Sequence, residues 1–88
     1  MKIKPGYMLR KVAEIYVIIG IGDETYAPNQ IMSLNGTGAF LWRILEEGAD
    51  REKLVASLLS EYDVDEQTAA ADVDAFLTSL REKALIAE

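Results

Sequence analysis

An abrupt change from extended to helical patterning at residues 33–45 constrains the fold of this chain more than any other feature. Residues 31–34 end an extended apolar run. Asn35 follows, and its side chain can accept backbone N–H bonds that the first turn of a helix leaves open. Apolar side chains then recur at helical spacing, at Ala39, Trp42 and Leu45. We therefore expect strands before Asn35 and helices after it.

Composition limits the chemistry that the chain can perform. Its 88 residues, half of them apolar, are enough for one domain, residues 1–88, with a single core. The sequence has no cysteine and no histidine, so it lacks thiolate ligands, the commonest general base and the commonest metal ligand. We expect no metal and no cofactor. No apolar run approaches the ~20 residues of a membrane span, and we expect a cytoplasmic protein.

Charge is distributed unevenly along the chain. Residues 1–34 carry four basic and three acidic residues, whereas residues 35–88 carry five basic and twelve acidic ones. The second part should repel phosphate backbones and anionic membranes. These charges disfavour nucleic-acid binding and membrane binding.

The first part of the sequence predicts three strands. Met8–Val12 is the first, Ala13-Glu14 makes a tight connection, and Ile15–Ile21 is the second. Gly, Asp, Pro and Asn residues predict a loop at Gly22–Asn29, after which Gln30–Leu34 forms the third strand.

The second part predicts three helices. The first spans residues 36–47 and stops at Gly48. The second is capped by Asp50 and ends near Tyr62, and the third begins after its cap Asp65. After the third helix, Leu85-Ile86 is expected to fold back as a short extended tail. The fold class is α+β, a winged-helix-like arrangement of a three-stranded antiparallel sheet followed by three helices.

The carboxylates do not form an evident catalytic couple. They lie close in sequence at Glu46 and Glu47, at Asp63 and Asp65, and at Asp72 and Asp74. Members of each pair point in different directions on a helix or flank a cap, so none suits acid–base catalysis. We expect a protein that is not an enzyme.

The third strand offers a physical route to peptide binding. Residues 30–34 contain no charge and no proline, and an edge strand of this kind can pair with another chain. The alternative is an edge covered by a loop, by the C-terminal tail or by a dimer partner.

The strand-to-helix junction resembles a known family signature. Leu34–Trp42 reads LNGTGAFLW, which is similar to the L-N-x-T-G-A-x-x-W signature of the PqqD family. Met8–Val12 and Glu14–Val17 upstream, and Leu54–Val64 and Asp72–Leu80 downstream, also resemble that family in composition and spacing.

The resemblance implies a peptide chaperone, the recognition element of many systems that modify ribosomally made peptides. Such a protein binds the leader segment of a precursor and presents it to a modifying enzyme, often a radical SAM protein. The leader adds as a strand beside the third strand, in a groove lined by the third helix. Carried over to this sequence, the backbone pairing falls on Gln30, Ile31, Met32 and Ser33. The helix positions expected to line the groove are Asp72, Val73, Phe76, Leu77 and Leu80.

Two other functions are compatible with the sequence. The second strand is apolar at both odd and even positions, including Val17, Ile18 and Ile19. Either both sheet faces are covered, or one face presents an apolar patch to a partner. In the second case the chain would be a structural or oligomerisation module, for example in a homodimer. A winged-helix nucleic-acid binder is the third and least favoured alternative.

Overall fold

The computed structural model describes residues 1–20 and 29–88, and within them five strands and three helices follow one another. The elements are β1 (Lys2–Ile3), β2 (Tyr7–Val12), β3 (Ile15–Gly20), β4 (Asn29–Leu34), α1 (Gly36–Glu47), α2 (Arg51–Glu61), α3 (Glu66–Glu82) and β5 (Ile86–Ala87). The α+β prediction, with an antiparallel three-stranded sheet followed by three helices, is confirmed. The predicted loop at Gly22–Asn29 lies outside the described residues, except that Asn29 already begins β4.

The three-stranded sheet has the order β2–β3–β4. A two-residue turn joins β2 to β3 and places Val12 opposite Ile15, as the tight connection predicted. The pairing of β4 with β3 changes register along the strand. Met32 pairs with Ile18, but the next residue of β3, Ile19, pairs with Gln30, so Ile31 is an extra residue between the two pairs. This β-bulge divides the strand into two short segments.

All three helices begin at the caps expected from the sequence. In each case the cap side chain accepts a hydrogen bond of 2.7 Å from the backbone N–H three residues later; the pairs are Asn35–Gly38, Asp50–Lys53 and Asp65–Thr68. Gly48, with a φ of 99°, ends α1 as predicted. In the described ranges, no helix is both long and apolar enough to cross a membrane.

The chain ends form a second, two-stranded sheet that the sequence did not predict. Ala84, with a φ of 57°, ends α3, and the backbone N–H of Leu85 then donates to the carbonyl of Leu80 over 2.9 Å. This Schellman-type ending turns the chain back over the core. The expected C-terminal tail is thereby fixed as β5, in which Ile86 pairs with Ile3 of β1.

The core lies between the helices and one face of the larger sheet. Trp42 and Ile18 are completely buried in it. Val17 and Ile19, on the other face of β3, are also buried, at 4% and 6% exposure. The middle of β3 is therefore covered on both faces, the first of the two alternatives that its sequence allowed.

Candidate functional site

A cleft of about 300 Å³ opens between the end of β4, the first turns of α1 and one side of α3. Its lining residues are Met32, Ser33, Leu34, Asn35, Thr37, Gly38, Leu41, Asp72, Ala75, Phe76 and Ser79. The strand-to-helix junction therefore forms one wall of the cleft, and α3 forms the opposite wall.

Helical periodicity decides which residues of α3 reach the cleft. Asp72, Ala75, Phe76 and Ser79 follow one another at spacings of three, one and three residues, so they share one face of the helix. Asp72 and Ala75 are exposed there, whereas Phe76 is 8% exposed and also contributes to the core. One face of α3 thus combines a carboxylate, two small side chains and an aromatic ring.

The neighbouring face of α3 is turned to the core. Val73, Leu77 and Leu80 are 0–1% exposed and belong to the main apolar cluster. Their burial holds α3 in position against the rest of the molecule.

Gly38 shapes the wall that α1 contributes. A Cβ atom at this position would lie 3.2 Å from Cδ2 of Leu34 and 3.3 Å from Oδ1 of Asn35. Both distances are shorter than ordinary van der Waals contact. The missing side chain lets the Asn35 cap and Leu34 sit close to the first turn of α1.

Strand β4 forms an edge of the sheet within residues 1–20 and 29–88. It pairs with β3 on one side, and its residues Met32, Ser33 and Leu34 line the cleft. An edge strand carries backbone N–H and C=O groups that have no partner within its own sheet. The cleft therefore offers both side-chain contacts and main-chain hydrogen bonds.

Among the described residues that line the cleft, Asp72 is the single ionisable side chain. The two ion pairs in the described part of the chain lie elsewhere, between Arg51 and Asp74 at 2.7 Å and between Arg81 and Glu88 at 2.9 Å. The hydrogen bond from Arg51 lowers the pKa of Asp74 below its usual value. Asp72 has no such partner among the described residues.

The described residues contain no cluster of three potential metal ligands. In the part of the chain that the structure describes, the cleft is lined by apolar, small and neutral polar side chains and one carboxylate, with no nucleophile–base pair. Such an arrangement is suited to holding an extended polypeptide segment.

The structure brings part of the predicted binding set together. Met32, Ser33, Asp72 and Phe76 meet in the cleft. Ile31 is the extra residue of β4 at the register change, and Gln30 lies beyond it from Met32. The remaining three helix positions, Val73, Leu77 and Leu80, are buried in the core. Whether any of the nine contacts a ligand stays a prediction.

Sequence reasoning missed two residues on the cleft face of α3. Ala75 and Ser79 line the cleft beside Asp72 and Phe76. Their positions three and seven residues after Asp72 were the available signal, because residues at that spacing share a helix face. Small size made them indistinguishable from a solvated helix surface.

Comparisons with known proteins support the same fold. The family model described as Coenzyme PQQ synthesis protein D (PqqD) matches residues 16–86. A solved structure described as TbiB1 in complex with the TbiA(beta) leader peptide is 30% identical, with a TM-score of 0.73 and complete coverage of both chains. A second, lasso peptide synthetase B1 complexed with the leader peptide, is 24% identical with a TM-score of 0.71, over 99% of this chain and 96% of that one. The comparison with curated proteins gave no match.

Proposed function

Since this chain belongs to the PqqD family, we propose that residues 1–88 form one module that binds the leader segment of a ribosomally made precursor peptide. The observation that carries the proposal is the cleft between the edge of β4 and α3. The similar structure TbiB1, at 30% identity, is in complex with a leader peptide.

The proposed binding mode is strand addition. The leader lies in the cleft as an extended strand and pairs with the backbone of β4, first at Met32 and Ser33 and, beyond the register change, at Gln30 and Ile31. Main-chain hydrogen bonds supply affinity that depends little on leader sequence. The cleft side chains supply the selectivity.

Helix α3 has two roles in this proposal. Asp72, Ala75, Phe76 and Ser79 contact the leader directly from the far wall of the cleft. Val73, Leu77 and Leu80 act from behind, because their complete burial fixes the helix that carries the contacting side chains. Substitutions in the second group should therefore alter stability before they alter binding.

The module is proposed to be non-catalytic and to deliver its leader to a modifying enzyme, such as a radical SAM protein, in the cytoplasm. Support comes from the cleft, whose described lining residues include one ionisable side chain and no nucleophile–base pair. The chemistry then belongs to the partner, and this chain contributes affinity and position.

The proposal is tested by titrating the isotope-labelled protein with the leader of its cognate precursor peptide and following backbone amides. We expect shifts concentrated at residues 30–38 and along the cleft face of α3. Ala75→Arg should weaken binding at least tenfold, because a long side chain then fills an open cleft position. Shifts confined to β2, or an unchanged affinity for Ala75→Arg, would refute this binding mode.

Ala71→Arg is the matched control for Ala75→Arg. Both alanines are exposed on α3, but Ala71 is not among the lining residues of the cleft. The control should bind as the parent protein does, which separates occlusion of the cleft from a general effect of the added charge.

A second candidate function, self-association, is favoured by exposed apolar side chains on the β2–β3 hairpin, two of them at its turn. Met8, Val12 and Ile15 are 40%, 48% and 53% exposed, and Val12 and Ile15 face each other across the ladder. Sedimentation at several concentrations tests this alternative. A dimer that dissociates in Ile15→Lys would support it, whereas a monomer at all concentrations would exclude it.

A further inference from the structure

We propose that the leader segment carries a lysine or arginine that pairs with Asp72, so that Asp72 determines specificity in the cleft. This inference rests on the proposed leader-binding function and adds to it the charge of the ligand. Its basis is the contrast between Asp72 and the rest of the cleft lining.

Asp72 is the one charged side chain among the described residues that line the cleft. The same lining includes the apolar side chains of Met32, Leu41 and Phe76 and the neutral polar side chains of Ser33 and Ser79. A strand bound in the cleft would remove water from this carboxylate. A charged group that loses water is stabilised when it gains an opposite charge or hydrogen-bond donors, and is costly to bury otherwise.

Among residues 1–20 and 29–88, no ion pair supplies that partner. Asp74 is paired with Arg51 and Glu88 with Arg81, but neither ion pair includes Asp72. Residues 21–28, which the structure does not describe, contain no lysine or arginine. In the proposed complex, the ligand therefore supplies the cationic partner of Asp72.

The spacing within α3 also suggests where the basic residue stands in the leader. Asp72 and Phe76 are one helical turn apart, about 6 Å along the axis. Alternate residues of an extended strand point to the same side and are about 6.7 Å apart. A leader running along α3 would thus place an apolar side chain against Phe76 and a basic one, two residues away, against Asp72.

The charge distribution favours the same ligand at long range. Residues 35–88 carry twelve acidic and five basic residues. Their field attracts cationic peptides and raises the rate of encounter at low ionic strength. Acidic leaders would be repelled by the same field.

The experiment selects binders from a phage-displayed library of random 15-residue peptides, with the parent protein and Asp72→Asn as parallel targets. We expect the parent to enrich peptides with a lysine or arginine two positions from an aliphatic or aromatic residue, and Asp72→Asn to lose that enrichment. For a selected peptide, changing its basic residue to glutamine should weaken binding to the parent about tenfold. The same change should have little effect on binding to Asp72→Asn.

Glu61→Gln is the matched charge control. It removes one negative charge from an exposed position on α2, outside the cleft, and should keep the preference for basic peptides. Loss of the preference in Glu61→Gln as well would assign it to net charge and overturn the role of Asp72.

The remaining outcomes separate this inference from the proposed function. Peptides that are blocked by Ala75→Arg, lack a basic residue and bind Asp72→Asn equally well would overturn the inference but leave the leader-binding function intact. A selection that yields no peptide sensitive to Ala75→Arg would overturn both.

Discussion

At the scale of single residues, Trp42 supplies volume to the core. Its side chain is completely buried, and its indole Nε1 has no hydrogen-bond partner among the described residues. A buried indole N–H usually finds an acceptor, and one without an acceptor costs free energy. The contribution of Trp42 to stability therefore comes from the packing of its ring.

Removing the aromatic ring of Trp42 should lower the stability far more than replacing it with a smaller aromatic ring. We expect Trp42→Ala to lower the free energy of unfolding by about 3–5 kcal/mol, because it leaves a large cavity in the core. Trp42→Phe should cost about 1–2 kcal/mol, since it keeps an aromatic ring and removes the unpaired donor. Urea unfolding of the two variants checks this order, and equal losses would contradict a packing role.

Two glycines at the start of α1 should respond oppositely to alanine. A Cβ at Gly36 meets nothing within 4 Å, so Gly36→Ala should raise the free energy of unfolding by about 0.5 kcal/mol through helix propensity. At Gly38 the Cβ would press on Leu34 and Asn35, and we expect a loss of about 1 kcal/mol. Thermal melts of both variants provide the measurement; a gain at both positions would mean that Leu34 moves aside freely.

At the scale of elements, the ending of α3 decides how the C-terminus joins the fold. Ala84 adopts a left-handed conformation with a φ of 57°, a position where helices usually place glycine. The turn it makes allows Leu85 to be completely buried. The two-stranded sheet of β1 and β5 then follows directly.

Ala84→Gly should therefore stabilise the protein. Relief of the left-handed strain outweighs the greater freedom of glycine in the unfolded chain, for a net gain of about 0.5–1 kcal/mol. The same substitution at Ala56, an exposed position inside α2, should instead cost about 1 kcal/mol. Differential scanning calorimetry on both variants tests this contrast, and a loss of stability in Ala84→Gly would disprove the strain argument.

The helices could be predicted from local sequence signals, whereas the contacts between residues distant in sequence could not be predicted. The caps Asn35, Asp50 and Asp65 and the stop at Gly48 could be predicted because each acts within one turn of its own helix. The pairing of β1 with β5 joins the two chain ends over two residues each, too short for any hydrophobic period.

For the candidate site, the sequence predicted which helix lines the groove but not which of its side chains face the groove. A position on the third helix was expected for the groove, but adjacent residues such as Phe76 and Leu77 are both apolar, and their sequence does not say which one faces the core. The structure separates them, since Phe76 lines the cleft and Leu77 does not. Ala75 and Ser79 carried no chemical signal of their own.

At the scale of the whole molecule, carboxylates link the helices and the C-terminus. Asp74 on α3 binds Arg51 at the start of α2 through two hydrogen bonds of 2.7 and 3.0 Å. Glu88 binds Arg81 near the end of α3. Because these ion pairs are exposed, salt should weaken their effect on stability. Because each contains a carboxylate, their effect should also depend on pH.

The protein should lose stability in acid. The pKa values of Asp65, Asp74 and Glu88 are lowered in the folded protein, the first chiefly by the backbone N–H of Thr68 and the other two by hydrogen bonds from arginine. A lowered folded-state pKa gives stability that is present above the unfolded-state value, near 3.8 for aspartate and 4.5 for glutamate, and is lost as the pH falls through the folded-state value. With no histidine in the sequence, we expect little change between about pH 6 and 8 and a decline below about pH 4.5.

Urea unfolding across this pH range tests the assignment. Asp74→Asn should be less stable than the parent at neutral pH and should show a shallower decline in acid, because one of the titrating contacts is gone. Glu61→Gln, whose carboxylate is outside both ion pairs, should keep the slope of the parent. A parent protein whose stability stays constant down to about pH 3 would show that these three contacts do not contribute to the fold.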